Sequence, residues 1–198
     1  MYKRIPVKKL TGKEKFKNIG NKDFSVLEFW QYGFSNLNSN VLRGVLAEFI
    51  VENALKDKIK IGLRNPWGDY DVETEDGVRV EVKCASYLQD WDQKDFSRIV
   101  WSGLKGKELY WSEAVKSFAD LKQKDYKADV YVLALFNHKD PETLDILDMN
   151  QWRFYIFTKE KIKEITNNGL SVSLTKLNRL DVKPYRFKEI VEVIRSVR

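Results

Sequence analysis

Glu81 and Lys83 stand two residues apart in the stretch V-R-V-E-V-K (78–83), where valines and charged residues alternate. Successive side chains of a β-strand point to opposite faces, so Glu81 and Lys83 would share one face and the valines the other. A carboxylate can bind a hard metal ion, and an ammonium group can position a water molecule or stabilise the charge on a phosphate. The commoner alternative is the solvated charged face of an antiparallel sheet, which this strand alone favours.

The turn before this strand decides which side chain faces Glu81. The segment D-Y-D-V-E-T-E-D-G (69–77) is typical of a β-hairpin that turns near Gly77. A two-residue turn would place Asp71 opposite Val82, on the valine face. A three-residue turn places Asp71 opposite Glu81 and keeps every charge off the apolar face. Because a slip of one residue would bury charge, we expect the three-residue turn, with Gly77 in the left-handed conformation.

In the three-residue register the carboxylates of Asp71 and Glu81 oppose each other. Side chains so placed have Cβ atoms about 4.5–5.5 Å apart, and two like charges at that distance repel. A divalent cation between them would remove the repulsion, and their hard oxygen atoms suit Mg²⁺ or Mn²⁺. The alternative is a set of ordinary cross-strand ion pairs on the same face, Asp69 with Lys83 and Glu73 with Arg79.

The strongest helix pattern covers residues 39–56, where apolar side chains recur at helical spacing. We expect its N-cap at Ser39 or Asn40. Glu48 lies at the margin of the apolar stripe, so it can reach the charged face of the hairpin if the helix packs beside it. A glutamate that faces solvent is the ordinary alternative. The expected stripe consists of Leu42, Val45, Leu46, Phe49, Ile50 and Ala54.

The remaining elements indicate an α/β domain. Residues 129–136 are almost wholly apolar, which is typical of a strand buried on both faces. The order of elements predicts a central mixed β-sheet flanked by α-helices. We expect a basic N-terminal segment at residues 1–23 and a single domain at 24–198. The other expected elements are a short helix at 24–36, strands at 98–102, 151–158 and 170–175, and helices at 112–123, 159–168 and from residue 187.

The composition excludes several classes of protein. Of the 198 residues, 43% are hydrophobic and 32% are charged, which suits a folded globular core. The single cysteine, Cys84, rules out an internal disulfide framework and predicts a reducing, cytoplasmic location. The single histidine, His138, excludes a histidine-rich metal site. No apolar run approaches about 18 residues, so we expect neither a membrane span nor a membrane partner.

The net charge of +6 permits a polyanionic partner without requiring one. The excess is uneven, because residues 3–17 carry seven basic side chains against Glu14 alone. A solvated terminus is the ordinary explanation of such a run, and an arm that contacts phosphates is the alternative.

Taken together, these residues resemble the PD-(D/E)XK nuclease superfamily, which has the restriction-endonuclease-like fold. Its pattern is a glutamate in a first core helix, an aspartate on one strand and E-x-K on the next, antiparallel strand. Here these residues are Glu48, Asp71 and Glu81-Val82-Lys83, in the same order and with agreeing spacing. In many members a glutamine after the lysine lies near the site, and Gln89 matches it. Small, mostly uncharacterised bacterial members continue much like C-A-S-Y-L-Q-D-W (84–91).

The resemblance implies metal-dependent hydrolysis of a phosphodiester bond, with DNA as the expected nucleic-acid partner. Asp71, Glu81 and the carbonyl of Val82 would bind Mg²⁺ or Mn²⁺, with Glu48 acting through a water molecule. Lys83 would position the attacking water. Gln89 would lie against the nucleic acid. Cleavage of a duplex often needs two active sites, so a homodimer is a candidate assembly.

Two positions depart from the pattern of the superfamily. Tyr70 stands where the motif's name has proline, and Cys84 follows the lysine where a small hydroxyl residue is expected. Two other functions stay open: a catalytically silent nucleic-acid-binding module of the same fold, and a protein-interaction domain that uses surface tryptophans. The sequence does not distinguish DNA from RNA or an endonuclease from an exonuclease.

Overall fold

The computed structural model of the chain describes residues 5–56, 62–65, 68–106, 109–112, 117–120 and 125–197. Its strands in chain order are β1 Val72–Glu73, β2 Arg79–Ser86, β3 Val100–Ser102, β4 Leu109–Ser112, β5 Ser117–Asp120, β6 Val130–Phe136, β7 Trp152–Thr158 and β8 Ser171–Ser173. Its helices are α1 Val26–Phe34, α2 Asn40–Ala54, α3 Lys159–Thr166, α4 Leu174–Arg179 and α5 Ile190–Ser196. Short 3₁₀ turns occupy Pro141–Thr143, Met149–Gln151 and Phe187–Glu189.

A four-stranded sheet in the order β1-β2-β6-β7 forms the centre of the fold. Strand β1 is antiparallel to β2, β2 is parallel to β6, and β6 is antiparallel to β7. Two smaller antiparallel pairs join β3 to β8 and β4 to β5. The central sheet is therefore mixed, as predicted.

All seven residues of β6 are buried, which confirms the prediction of a strand covered on both faces. Alternate side chains of this strand enter two separate cores. On one face, Val132 and Ala134 pack with residues of α2 and α5. On the other face, Leu133 and Leu135 pack with residues of β3, α3 and α4. Helices lie against both faces, so the predicted α/β class, a central mixed sheet flanked by helices, is confirmed.

The hairpin has the predicted register. Val72 lies opposite Val80, and Glu73 lies opposite Arg79. Gly77 closes the three-residue turn with a φ of +81°, the left-handed conformation expected of it. The valines at positions 72, 80 and 82 are all buried in the core that α2 covers. Burial of these valines fixes the register, because a slip of one residue would replace them with charged side chains.

Both helices predicted before the hairpin form, and serine side chains cap them. Ser25 and Glu28 make a capping box at the start of α1. At the start of α2, the hydroxyl group of Ser39 accepts a hydrogen bond from the N–H of Leu42 at 3.4 Å. Of the two predicted caps of α2, the structure has Ser39.

The buried face of α2 is rotated from the predicted stripe. Ala47, Ile50 and Val51 are buried, whereas Phe49 is 55% exposed, so its predicted burial is wrong. Apolar residues lie on several sides of this helix, and their spacing does not select one face. Glu48 follows the buried Ala47, and its side chain is only 16% exposed. The ordinary alternative of a solvent-facing Glu48 is therefore wrong.

The helix predicted at 112–123 is wrong where the structure describes it. Ser112 ends β4, and residues 117–120 form β5, which pairs antiparallel with β4 so that Trp111 lies opposite Phe118. Aromatic residues favour strands, and here the pairing of two segments that contain them overrides the helical spacing. Residues 113–116 and 121–123 of the predicted helix lie outside the described residues.

The C-terminal part of the chain follows the predicted order with two differences. Helix α3 ends at Thr166, two residues early, because Asn167 adopts a left-handed conformation that stops the helix. The strand predicted at 170–175 ends at Ser173, and the unpredicted helix α4 begins at Leu174, where Ser173 caps it by accepting a hydrogen bond from the N–H of Lys176 at 3.2 Å. The last predicted helix begins with a 3₁₀ turn and becomes α5 at Ile190.

Backbone hydrogen bonds join the N-terminal segment to α1. The N–H groups of Val26 and Leu27 donate to the carbonyls of Glu14 and Gly12, both at 2.9 Å. The division of the chain into 1–23 and 24–198 stays a prediction. Among the residues that the structure describes, no helix is both long enough and apolar enough to cross a membrane.

Gly77→Ala should lower the free energy of unfolding by about 1 kcal/mol, because alanine is strained in the left-handed region. The added Cβ would meet no atom within 4 Å, so urea unfolding of this variant measures backbone strain alone. Gly44→Ala in α2 is the matched control, since its Cβ also meets no atom within 4 Å. Helix propensity predicts that this control gains about 0.5–1 kcal/mol. Equal losses in both variants would contradict the turn geometry.

Candidate functional site

Four of the residues predicted to do chemistry lie together at the β1 edge of the central sheet. Glu48 comes from α2, Asp71 immediately precedes β1, and Glu81 and Lys83 lie on β2. The charges of the other three all act on the carboxyl group of Asp71. We refer to these four residues as the carboxylate–lysine cluster.

Asp71 is held by hydrogen bonds to β2 through both its backbone and its side chain. Its N–H donates to the carbonyl of Val80 at 3.0 Å, and its Oδ2 accepts from the N–H of Val82 at 2.7 Å. The carboxylate thus continues the hydrogen bonding to β2 beyond Val72 and Glu73, the two paired residues of β1. The N–H and C=O of one strand residue point to the same side, so the carbonyl of Val82 faces the edge where Asp71 lies.

The surroundings of Asp71 favour its protonated form. Burial, followed by the negative charges of Glu81 and Glu48, raises the pKa of Asp71 to about 7. The hydrogen bond from Val82 and the positive charge of Lys83 lower this pKa, but they only partly offset the rise. At the position of Asp71, the negative charges of Glu81 and Glu48 therefore outweigh the positive charge of Lys83.

Glu81 and Lys83 share one face of β2, and that face is largely covered. The side chain of Glu81 is 16% exposed and that of Lys83 is 28% exposed, so the alternative of a solvated charged face is wrong. The ammonium group of Lys83 donates to the carboxylate of Glu81. Tyr131 of β6 lies beside Glu81 in the sheet. A Cβ on Gly103 would lie 3.8 Å from Cε of Lys83, so the chain after β3 passes close to the lysine stem.

Arg64 engages Glu48 from outside the predicted set of site residues. Its Nε and Nη2 donate to the two carboxylate oxygens, the Nη2 bond measuring 2.8 Å. The hydrogen bond to Glu48 is the largest cause of a raised pKa at Arg64, and the negative charge of Asp71 contributes to the same shift. Arg64 is thus a second cation beside the cluster. The sequence gives no signal of this contact, because Arg64 stands in a loop without periodicity.

An open groove of about 1110 Å³ borders the cluster. Helix α2, residues 62–65 and the hairpin form its walls, and Glu48, Arg64 and Asp71 lie along them. A space of this size can accept a substrate segment next to the acidic side chains.

The ordinary ion pairs predicted across the hairpin are wrong. Arg79 pairs with Asp129 instead of Glu73, with 2.6 Å between Nη2 and Oδ1. Asp69 pairs with Lys127 instead of the lysine of β2. Both true partners come from the segment that leads into β6. The hairpin sequence does not indicate them, because it does not reveal which strand lies on the other side of β2.

Gln89 lies after β2 with its side-chain amide bonded inside the protein. Its Nε2 donates to the carbonyl of Ser86 and to the hydroxyl group of Ser97, both at 3.0 Å. Its Oε1 accepts from Nη2 of Arg43 at 2.8 Å. Contact between Gln89 and nucleic acid stays a prediction, and it would require the amide to exchange one of these partners.

Sequence reasoning missed Arg43, which is only 4% exposed. Its guanidinium donates to the carbonyl of Asn38 at 2.5 Å as well as to Gln89, and burial lowers its pKa. The signal for its burial is its spacing of four and seven residues from Ala47 and Ile50. Arg43 ties α2 to the loop after β2, so it helps to fix where α2 presents its glutamate.

The donor atoms of the cluster suit a hard divalent cation in kind. Asp71 and Glu81 supply carboxylate oxygens, and the carbonyl of Val82 faces the same edge. Within the described ranges, no group of three or more His, Cys, Asp or Glu side chains is placed to hold a metal ion. Glu48 is instead bonded to Arg64. Two carboxylates and a carbonyl therefore suit such an ion by their chemistry, whereas a metal held by them, with or without Glu48, stays a prediction.

Comparison with solved structures gives a weak likeness. No protein-family model matches the chain, and no curated protein matches it. Among solved structures, a bacterial homing endonuclease is similar at 16% sequence identity with a TM-score of 0.38, over 69% of this chain and 78% of the other. A likeness this weak shows neither a shared family nor a shared activity.

The stability of the protein should fall as the pH rises from about 4 to about 7 when no divalent cation is present. The pKa of Asp71 rises from an ordinary 3.8 to about 7 on folding, so between these values the folded state holds a proton that the unfolded state has lost. Raising the pH therefore favours unfolding, by up to about 4 kcal/mol, and the loss is complete above pH 7. Urea unfolding in EDTA across this range measures it.

Asp71→Asn should be more stable than the parent at pH 8 and should show a flatter profile, because it removes the titrating group. Asp69→Asn makes the same change two residues away, at a side chain that is 63% exposed, and should keep the parental profile. A parental profile in Asp71→Asn would show that the buried charge of Asp71 does not control stability.

Proposed function

We propose that this protein is a metal-dependent nuclease that hydrolyses phosphodiester bonds, with DNA as its expected substrate. The observation that carries the proposal is the carboxylate–lysine cluster beside an open groove, whose walls include Glu48 and Asp71. Burial opposes the charge of Asp71 there, so the arrangement costs stability and suits a cationic ligand. The same residues carry the resemblance to the PD-(D/E)XK superfamily, and membership of that superfamily is part of the proposal.

Asp71, Glu81 and the carbonyl of Val82 would hold Mg²⁺ or Mn²⁺, with Glu48 beside them. The ion would supply positive charge to the phosphate and would acidify a water molecule. Asp71 must be ionised to serve as a ligand, and its pKa of about 7 means that a proton competes with the ion for the same oxygens. Metal affinity should therefore rise with pH up to and slightly above neutrality.

Lys83 would hold the attacking water. Its ammonium group has three N–H donors and already contacts Glu81, and β2 fixes both side chains on one covered face. A donor held in this way orients a water molecule through the oxygen lone pairs. Its positive charge also stabilises the negative charge that develops on the phosphate oxygens in the transition state.

A nucleic-acid-binding module without cleavage is the second candidate. The ion pairs Arg64–Glu48 and Lys83–Glu81 favour it, because they neutralise two of the three acids without a metal. Product formation that EDTA abolishes would distinguish the nuclease from this module. The homodimer and the cytoplasmic location stay predictions.

Asp71→Asn, Glu81→Gln and Lys83→Met should each lower Mg²⁺-dependent cleavage on the order of 10²–10⁴-fold, since each removes a group that binds the metal or the water. The assay offers labelled single- and double-stranded DNA and RNA with Mg²⁺, Mn²⁺ or EDTA. Thermal unfolding of each variant shows whether the domain is still folded.

Glu75→Gln is the matched control for the acid substitutions. Glu75 is an exposed carboxylate in the hairpin turn and lines the same groove. This variant should cleave at the parental rate, because Glu75 lies outside the cluster. Parental cleavage by all three cluster variants would refute the nuclease site. Binding without cleavage by the parent, in either metal, would support the second candidate.

A further inference from the structure

Two arginine side chains converge on one backbone carbonyl beside β7. Arg153 donates from Nη1 to the carbonyl of Asn150 at 2.7 Å and to the carbonyl of Trp152 at 2.6 Å. Arg186 donates from Nη1 to the same Asn150 carbonyl at 3.1 Å. Because both bonds end on one oxygen atom, the two Nη1 atoms lie within about 6 Å of each other.

In the described part of the chain no carboxylate lies within 4.0 Å of either guanidinium group of this arginine pair, although Glu189 accepts a hydrogen bond from the backbone N–H of Arg186 at 2.7 Å. Burial, followed by the positive charge of Arg186, lowers the pKa of Arg153. Two cations that repel each other at short range favour an anion as ligand. The planar guanidinium group matches the oxygen atoms of a phosphate, to which it can donate two hydrogen bonds at once.

The arginine pair lies on the same face of the sheet as Lys83. Across β2, β6 and β7, Lys83 aligns with Tyr155, and Ala85 aligns with Arg153 one row further along. Neighbouring strands are about 4.8 Å apart and alternate residues of a strand about 6.7 Å, so the Cα atoms of Arg153 and Lys83 are separated by roughly 12 Å. The sheet between them is covered, because Leu133, Leu135 and Tyr155 are buried, so the arginine pair lies apart from the cluster.

A third cation lies on this face near the ends of β2 and β6. The ammonium group of Lys139 lies 4.3 Å from the ring centre of Tyr87 and 5.5 Å from that of Phe96. The two aromatic rings attract this cation without neutralising its charge. Burial raises the pKa of Tyr155, Tyr87 adds to this rise and Arg153 opposes it, so Tyr87 and Arg153 both lie near this buried tyrosine.

We propose that Arg153, Arg186 and Lys139 form a phosphate-binding strip for nucleic acid. The strip rests on the proposed function in one respect, namely that the ligand is nucleic acid. Phe96 is 53% exposed, and its ring can contact a sugar or a base between the phosphates.

The test measures binding in EDTA, where the proposed mechanism gives no cleavage. The probes are a fluorescent single strand and a duplex of mixed-sequence DNA, each about 20 nucleotides long, titrated by anisotropy at several salt concentrations. In the variant Arg153→Gln with Arg186→Gln, affinity at low salt should fall about 10-fold. The slope of log affinity against log salt should become shallower by about 1 to 2, because two phosphate contacts are lost.

Lys161→Gln with Arg195→Gln is the control, since it removes the same two positive charges elsewhere. Lys161 lies in α3, which follows the far end of β7, and Arg195 lies in α5 against the opposite face of the sheet. This control should keep the parental slope and affinity. Thermal unfolding checks both double variants. Should the arginine variant fail to fold, Arg186→Glu, at an exposed position, serves in its place and should show the same loss.

The outcomes separate the strip from the nuclease. A slope in the arginine variant equal to that of the control refutes the strip, whether or not the protein cleaves DNA. A parent that binds with an arginine-dependent slope yet never cleaves supports the strip and refutes the nuclease. Absence of binding to either probe refutes the strip.

Discussion

Burial of both faces of the central sheet is the constraint on which the rest of the structure depends. Strand β6 lies between β2 and β7 and has no solvent on either side. The alternation of β2 then sends its valines into one core and turns Glu81 and Lys83 toward the side of the other. A charged group that is largely buried is stable only when an opposite charge or a hydrogen bond compensates it. The ammonium group of Lys83 accordingly donates to the carboxylate of Glu81. On a solvent-exposed antiparallel sheet, the side chains of the same two residues would form hydrogen bonds with water instead.

The carboxyl group of Asp71, next to the edge strand β1, is not neutralised by the ion pair between Lys83 and Glu81. Strand β1 is only two residues long, and the carboxylate of Asp71 continues its hydrogen bonding to β2. Glu48 has Arg64 and Glu81 has Lys83, whereas Asp71 has a backbone N–H, and its raised pKa is the energetic consequence. A fold selected for stability alone would place an uncharged side chain there. Local conflicts of this kind are concentrated at functional sites, where a ligand supplies what the protein lacks.

The sequence predicts what burial and turn chemistry determine, and fails where a partner comes from a distant element. The hairpin register follows from the valines and from Gly77, since each alternative would bury charge or strain the turn. The buried face of α2 cannot be predicted from the sequence, because its apolar residues are not confined to one stripe. Arg43 is buried there, although arginine is usually exposed. The partners of Arg79 and Glu48 depend on which segments pass beside the hairpin, and no local pattern encodes that. The order of the candidate site residues along the chain was therefore predictable. The ion pairs that Glu48 and Glu81 form with Arg64 and Lys83 were not.

The residues of the cluster lie on α2 and at the central sheet, whereas Arg64 lies in a loop, and this difference bears on how the site would accept a cation. Asp71, Glu81 and Lys83 are fixed by the sheet, and Glu48 by a helix that Arg43 ties to the loop after β2. Arg64 lies in the loop at residues 62–65, and its side chain is 44% exposed. When a cation enters beside Asp71, the negative charge that attracts Arg64 is reduced, because Asp71 contributes to that attraction. Release of Glu48 then requires movement of an exposed loop residue and no rearrangement of the sheet, so the ion pair seen here is compatible with a site that binds metal.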